Sequence, residues 1–144
     1  MKVRTILATK GINVVTIRPQ QDLREAARLL AEHNIGALVV VTEAGRLAGI
    51  ISERDIIRAV ARLEAALSLP VGEIMTREVI IGVPQDDLMA VAHTMTEKRF
   101  RHLPIIDQGE LVGILSMKDI VKYQQDQYKG EIDTLQTQII AEED

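Results

Sequence analysis

The sequence predicts an α+β fold of two pseudo-symmetric repeats, each a small three-stranded sheet with flanking helices, packed face to face. Three observations lead to this fold class. The length of 144 residues suits one ordinary domain; the core must be aliphatic, because 47% of the residues are hydrophobic and only 2% aromatic; and the second half of the chain repeats the first. Because units of about 65 residues are marginal alone, we expect the two to share a core.

The repeat becomes visible when the chain is aligned with itself. A shift of 65 residues aligns residues 14–42 with residues 79–107. One residue is then lost, and residues 45–56 align with residues 109–120, with seven of the twelve positions identical. The predicted boundaries are residues 1–68 for the first repeat with its lead-in helix, 69–124 for the second repeat, and 125–144 for a polar C-terminal helix.

Each unit predicts the order helix, strand, helix, strand, strand, helix. Helical segments show apolar side chains three and four positions apart, whereas the strands are short runs rich in β-branched residues. In the first unit we expect a helix over 22–33 with Asp22 as its N-cap, a buried strand over 37–41, a turn at 43–46, a second strand over 47–51, and a helix from Ser52 to about Leu67.

The composition excludes several classes of function. A net charge of −4 opposes a phosphate backbone and three aromatic residues are too few for base stacking, so we expect no nucleic-acid polymer as partner. Without cysteine there are no disulfides or thiolate metal sites, and the three histidines lack metal-ligand spacing. Since neither a signal peptide nor a membrane-spanning apolar run is present, we expect a cytoplasmic protein without membrane contact. No catalytic motif is present either, so we expect no enzyme activity.

Three ordered motifs, each occurring twice, indicate the family that the chain resembles. A Pro-x-x-x-Leu segment opens a helix at Pro19 and at Pro84, a strand follows as Gly36-Ala-Leu-Val-Val-Val and as Arg101-His-Leu-Pro-Ile-Ile, and Gly-x-Leu-x-Gly-Ile-h-Ser-x-x-Asp-Ile (h, hydrophobic) closes each unit. Over residues 1 to about 124, the chain resembles a tandem pair of cystathionine-β-synthase (CBS) domains. The resemblance implies a regulatory module that binds adenosine-containing ligands in the cleft between the repeats, commonly as a disc-shaped homodimer.

The Ser-x-x-Asp element occurs as Ser52 and Asp55 and again as Ser116 and Asp119. By position it predicts a helix cap in which the serine and the aspartate each accept a backbone N–H. The same strand-to-helix turn offers backbone donors and the helix dipole to an anion, and a carboxylate there can accept ribose hydroxyls. In CBS-like proteins the equivalent aspartate holds ribose, so the resemblance makes Asp55 and Asp119 the first site candidates.

Basic side chains near these elements are candidates for phosphate contacts. A basic run at residues 99–102 precedes an apolar strand that we expect to enter the core, which places the run at the mouth of the strand. A surface cation is most often only solvated, and His102 fits a structural role as well as a ligand role. In the family the position of this run often faces phosphate. The candidates are Arg54, Lys118, Arg101 and His102, with Leu103 and Pro104 next in the strand.

The corresponding positions of the first repeat carry no charge. Gly36 and Ala37 are small, and small residues there let an adenine ring approach backbone amides. The resemblance implies that Thr16 turns its hydroxyl toward the ligand, whereas its counterpart in the second repeat is Ile81. We therefore expect two chemically unequal clefts.

The sequence thus predicts a non-enzymatic sensor that binds AMP, ADP or ATP between the repeats and requires no other cofactor. Asp55 or Asp119 would hold the ribose, with Ser52 or Ser116 nearby. The expected partners are a second copy of the chain and a separately encoded client protein. Two alternatives stay open: the same fold binding NAD(H) or S-adenosylmethionine, and a ligand-free module for dimerisation or partner docking in which the Ser-x-x-Asp elements are only caps.

The tail after residue 123 is rich in Gln, Glu and Asp. Within it, Tyr128, Ile132, Leu135 and Ile139 are spaced four, three and four residues apart and form one apolar stripe about two heptads long. This stripe predicts that the tail packs on the module or on the partner subunit.

Overall fold

The computed structural model describes residues 1–10 and 14–129, so Ile132, Leu135 and Ile139 of the tail stripe lie outside the described residues. Within the described ranges, the chain forms two small sheets, six α-helices and one 3₁₀ turn at Ala66–Ser68. The helices are α1 (Val3–Lys10), α2 (Leu23–His33), α3 (Glu53–Arg62), α4 (Val71–Ile74), α5 (Leu88–Lys98) and α6 (117–129). The strands are β1 (Thr16–Ile17), β2 (Ala37–Val41), β3 (Leu47–Ser52), β4 (His102–Asp107) and β5 (Glu110–Ser116).

Equivalent side chains cap the equivalent helices of the two repeats. Asp22 accepts the backbone N–H of Glu25 at the start of α2, which confirms the predicted N-cap, and Asp87 accepts that of Ala90 at the start of α5. Both helices end in a left-handed residue, Asn34 at φ 52° and Arg99 at φ 60°. The sequence pattern therefore fixes these helix ends by local hydrogen bonding.

The two sheets differ in strand number. The first sheet has the predicted three strands, with β1 parallel to β2 and β2 antiparallel to β3. Among the described residues, the second sheet contains only the antiparallel pair β4 and β5, and the expected third strand is a single parallel bridge between Gly82 and Ile105. The next ladder bond would need the N–H of Pro104, and proline has none, so the parallel ladder stops there.

The hairpin loops explain the change of shift within the repeat. In the first hairpin Thr42 pairs with Arg46 around a three-residue loop that ends at Gly45, φ 81°. In the second, Asp107 pairs with Glu110 around Gln108 and Gly109, both with positive φ, as in a two-residue type I′ turn. The second repeat is therefore one residue shorter at this point.

Helix α3 is shorter than predicted, because it ends at Arg62 and not near Leu67. Leu63 is already extended, at φ −125° and ψ 135°, and Ala65 is left-handed. The following turn brings Ala66 into the core, where it is 4% exposed. No local helix breaker explains this end, so tertiary packing overrides helix propensity here.

Two core clusters replace the single shared core that we expected, and the lead-in helices are exchanged between them. Val3, Ile6 and Leu7 of α1 are buried with residues of the second repeat, whereas Val71 and Met75 are buried with residues of the first. Equivalent backbone bonds hold both: the N–H of Val3 donates to Asp86 at 2.9 Å, and that of Val71 donates to Gln21 at 2.7 Å. Each repeat therefore completes the core of the other.

Two glycines of the repeated motif leave room for this exchange. A Cβ at Gly49 would lie 2.9 Å from the sulfur of Met75, and a Cβ at Gly113 would lie 2.8 Å from Cδ2 of Leu7. Real Cβ atoms do not approach other atoms this closely. The second glycine of each Gly-x-Leu-x-Gly element is thus the docking position for the lead-in segment of the other repeat.

Candidate functional site

A cleft of about 420 Å³ lies at the amino end of α3. It brings together six of the residues that the sequence singles out, from the ends of β2, β3 and β4 and from α3. These are Gly36, Ser52, Arg54, Asp55, Arg101 and His102. Its volume falls in the range of small-molecule sites.

The Ser52–Asp55 element forms the reciprocal helix cap that the sequence predicts. The Ser52 hydroxyl accepts the N–H of Asp55 at 3.2 Å, and Oδ2 of Asp55 accepts the N–H of Ser52 at 2.9 Å. The same bonds join Ser116 and Asp119, at 3.0 and 2.9 Å. A carboxylate has acceptor sites for about four hydrogen bonds, so the cap leaves Asp55 with capacity for a ligand.

Helix α3 has one face buried in the core and another face at the cleft. Ile56 and Ala59 are buried in the first core cluster. Arg54, Asp55 and Arg58 line the cleft. Because residues 54 and 58 are one turn apart, their guanidinium groups lie on one helix face next to the carboxylate. The first two turns of α3 therefore present both a hydrogen-bond acceptor and two cations to the cleft.

The segment from Lys98 to His102 supplies the rest of the positive charge. Lys98, Arg99 and Arg101 join Arg54 and Arg58, so five cations line the cleft against the carboxylates of Glu53, Asp55 and Glu78. Among the described residues, none of these five cations has a carboxylate oxygen within 4 Å. The cleft is electropositive although the chain as a whole carries a charge of −4.

The two repeats approach each other closely at Gly36. A Cβ built there would lie 3.4 Å from Nε2 and 3.6 Å from Cε1 of His102, and 3.7 Å from Oε1 of Glu53. The missing side chain at residue 36 therefore lets the imidazole of the second repeat lie against the start of β2 in the first.

The other predicted site residues lie outside this cleft. Thr16 is exposed on β1, and the residues Ala37, Leu103 and Pro104 are buried within their strands. Ser116, Lys118 and Asp119 lie where β5 passes into α6, the position in the second repeat that corresponds to the start of α3. Extending the 65-residue shift by one position maps the cleft residue Glu78 onto residue 13, which is outside the described residues.

Several lining residues were not predicted. They are Ile50, Glu53, Arg58, Thr76, Glu78, Val79, Ile80, Lys98 and Phe100. Arg58 could have been found, because it follows Arg54 by one helical turn, and Phe100 is the only phenylalanine and interrupts the basic run. Thr76 and Glu78 gave no such signal, because only the packing of the lead-in segment against β3 brings them to the cleft: Thr76 exchanges two backbone hydrogen bonds with Ile50.

Within residues 1–10 and 14–129, the structure offers neither a metal site nor a membrane-spanning helix. No group of three or more His, Cys, Asp or Glu side chains in these ranges could hold a metal ion. In the same part of the chain, no helix is long and apolar enough to cross a membrane.

Comparison with known sequences identifies the repeats. The model of the CBS domain family matches residues 3–62 and again residues 71–126. The CBS domain-containing protein YhcV of Bacillus subtilis is 38% identical over 112 residues, which cover 78% of this chain and 79% of that protein. A 33.4 kDa protein of Thermofilum pendens is 43% identical over 104 residues, and this chain spans only about a third (34%) of its length.

Solved structures share the fold over most of the chain. A CBS-domain containing protein from Agrobacterium tumefaciens superposes with a TM-score of 0.83 at 38% identity, covering 86% of this chain and 99% of that one. A CBS domain protein from Pyrobaculum aerophilum, solved in complex with AMP, gives 0.74 at 31% identity, with 83% and 89% covered. The CBS domain pair of protein MJ0100, solved with 5′-methylthioadenosine and S-adenosyl-L-methionine, gives 0.79 at 31%, with 88% and 98% covered. With two family matches in tandem on this shared fold, the chain belongs to the CBS domain family.

Proposed function

We propose that this chain is a non-enzymatic regulatory module that binds an adenine nucleotide, AMP, ADP or ATP, in the Asp55 cleft. The observation that carries the proposal is the convergence on a single cleft of about 420 Å³ of one capped carboxylate and five cations that have no carboxylate partner among the described residues. Related CBS proteins solved with AMP or with S-adenosylmethionine support an adenosine ligand. Among adenosine-containing ligands, the excess of positive charge in this cleft favours those that carry phosphate.

The geometry suggests a role for each group. Asp55 accepts the ribose hydroxyls, because the cap with Ser52 holds its carboxylate in one orientation at the cleft. Arg54 and Arg58 face the phosphates from one side, and Arg101 with His102 faces them from the other. Arginine suits this role because its planar guanidinium donates two parallel hydrogen bonds to a phosphate.

Charge favours a phosphorylated ligand over S-adenosylmethionine. A sulfonium carries positive charge, and in a cleft with two more cations than carboxylates it would be repelled. A phosphate ester carries between one and two negative charges near pH 7 and would be attracted. NAD(H) also carries phosphate, so its exclusion depends on whether its second nucleoside fits the cleft, which competition against AMP measures.

The ligand-free docking module remains a second candidate, because both Ser-x-x-Asp elements do form helix caps. If capping were their only role, the cations of the cleft would be solvated surface charges. Nucleotide binding distinguishes the two functions directly.

We also propose that the module acts as a homodimer in the cytoplasm and regulates a separately encoded client. The exposed apolar side chains of α3, Ile57 at 67% and Val60 at 53%, support association through this helix. Such side chains lose contact with water when two copies pack together. A ligand that contacts both α3 and the second repeat in the cleft would then change the geometry of the dimer.

Isothermal titration calorimetry with AMP, ADP, ATP, NAD and S-adenosylmethionine tests the proposed ligand. We expect micromolar binding of an adenine nucleotide, which corresponds to about −8 kcal/mol. The variant Asp55→Asn keeps an amide oxygen to accept the Ser52 N–H but loses the charge, so it should lower the affinity at least tenfold with little change in Tm. Asp22→Asn makes the same substitution at a helix cap outside the cleft and should leave the affinity unchanged. Absence of both heat and thermal shift with every ligand would overturn the proposal.

A further inference from the structure

The negative charge of this protein is concentrated at one end of the chain. Of its 21 carboxylates, five lie in residues 130–144, where there is no lysine or arginine. Residues 1–129 contain the remaining 16 carboxylates and all 17 lysines and arginines, so they carry a net charge of +1. Three of the five acids are consecutive, at residues 142–144. The overall acidity is therefore a property of this segment, which we call the acidic tail.

The cleft offers this segment a complementary surface. Elsewhere on the molecule, an arginine between carboxylates is paired with them: Arg28 contacts Glu25 at 2.6 Å and Glu32 at 2.7 Å. The five cations of the cleft have no such partner among the described residues. Consecutive carboxylates can contact several of these cations at once, as the oxygens of a phosphate chain do.

The length of the chain permits the contact. Helix α6 starts beside the cleft, since the N–H of Met117 donates to the carbonyl of Arg101 at 2.9 Å. Its 13 residues carry the chain about 18 Å away. A flexible chain of 13 residues, the number that separates 129 from 142, has a root-mean-square span of about 20 Å, which matches the return distance. When the length of a linker matches the distance that it must span, the effective concentration of the tethered group at its site is on the order of millimolar.

We propose that residues 142–144 of the acidic tail bind the cations of the Asp55 cleft in the same chain and compete with the ligand for them. The competition rests on the proposed nucleotide site, whereas the docking itself does not. Ligand phosphate would then displace the tail, so that occupancy of the cleft is reported as release of the C-terminal segment.

Paramagnetic relaxation tests docking without any nucleotide. The chain has no cysteine, so Ala141→Cys gives a single nitroxide site next to the acids and removes no charge. At about 20 mM salt we expect broadening of the amides of residues 52–58 and 98–102. At about 1 M salt, where the screening length falls to roughly 3 Å, the broadening should disappear. Broadening confined to α6 or to the exposed face of α3, or broadening only between labelled and unlabelled copies, would overturn same-chain docking.

Competition is measured with charge-matched variants of the full chain. Glu142→Gln with Glu143→Gln should bind ATP three- to tenfold more tightly than the unmodified chain at low salt, and equally at high salt. Glu131→Gln with Asp133→Asn removes the same charge near the end of α6 and should change the affinity less than twofold. If the two pairs of substitutions changed the ATP affinity equally, the tail would act only through its total negative charge, and docking of residues 142–144 would be contradicted. Tail broadening without nucleotide binding would refute the proposed function alone, and nucleotide binding without broadening would refute the docking alone.

Discussion

The Cβ position of Gly36, in the first repeat, lies 3.4 Å from Nε2 of His102, in the second. Gly36 directly precedes β2 and His102 begins β4, and the repeat shift pairs Gly36 with Arg101, one residue before that histidine. A glycine in one repeat thus faces a basic segment in the other. The two repeats therefore contribute differently to the cleft: the second supplies Lys98, Arg99 and Arg101, whereas the first supplies the space at Gly36 and the first two turns of α3, with two carboxylates and two arginines.

The first prediction concerns that space. Gly36→Val places two methyl groups toward His102 and into the cleft, so we expect nucleotide affinity to fall at least tenfold in calorimetry. The fold should tolerate the change, because the position requires no positive φ and the neighbouring atoms belong to side chains. Gly49→Ala provides the contrast: its Cβ would lie 2.5 Å from the carbonyl oxygen of Thr76, so Tm should fall sharply. Unchanged affinity in Gly36→Val would show that ligand does not occupy this part of the cleft.

Arg99 leads to a second prediction, in which stability and binding change in opposite directions. This arginine is left-handed at φ 60°, a conformation that favours glycine and asparagine, and the equivalent residue of the first repeat is Asn34. Arg99→Asn should therefore stabilise the fold by about 1 kcal/mol, or about 3 °C in Tm. It should also weaken nucleotide binding by removing a cation from the cleft. If thermal unfolding showed no gain, the strain would be relieved elsewhere; if affinity were retained, Arg99 would not contact the ligand.

Local sequence rules predicted much of this fold. Asp22 and Ser52 cap helices by hydrogen bonds within three residues, and the positive φ of Gly45 and Gly109 suits their hairpin loops, so short-range chemistry is enough to place these elements. The third strand of the second sheet is missing because the next hydrogen bond of its ladder would need the N–H that Pro104 lacks. The sequence contains this proline, but only the observed register shows that its N–H is the one required.

The site was predictable where motifs repeat and unpredictable where packing joins distant segments. Asp55 and Arg101 belong to repeated patterns and were found. Thr76 reaches the cleft only through the exchange of lead-in helices. That exchange could not be inferred, because Val3 and Val71 have equivalent sequence surroundings and either could dock on either repeat.

The third prediction concerns acid stability. The backbone N–H of Ala90 lowers the pKa of Asp87 below its usual range. A carboxyl whose pKa is lower in the folded state stabilises the protein above its unfolded pKa of about 4, and this stabilisation is lost as the pH falls through the folded value. Asp87→Asn should therefore show a smaller loss of stability between about pH 4 and pH 2 in urea titrations. Glu97→Gln, near the other end of the same helix, controls for removal of one carboxylate. Parallel curves for Asp87→Asn and the unmodified chain would contradict this role for the cap.

The last prediction tests the proposed dimer through α3. Ile57 and Val60 are more than half exposed, although Ile56 and Ala59 of the same helix are buried. Burying an aliphatic side chain of this size contributes about 1.5–3 kcal/mol, and a twofold interface would bury each one twice. Light scattering should give about twice the chain mass of 16.0 kDa for the unmodified protein. Ile57→Glu with Val60→Glu should give one chain mass at the same concentration, while Arg54 and Arg58 keep their positions at the cleft. Ile81→Glu, at another exposed apolar position (48%), should remain dimeric. A dimer that survives the α3 substitutions and dissociates with Ile81→Glu would move the interface to the edge of the second sheet.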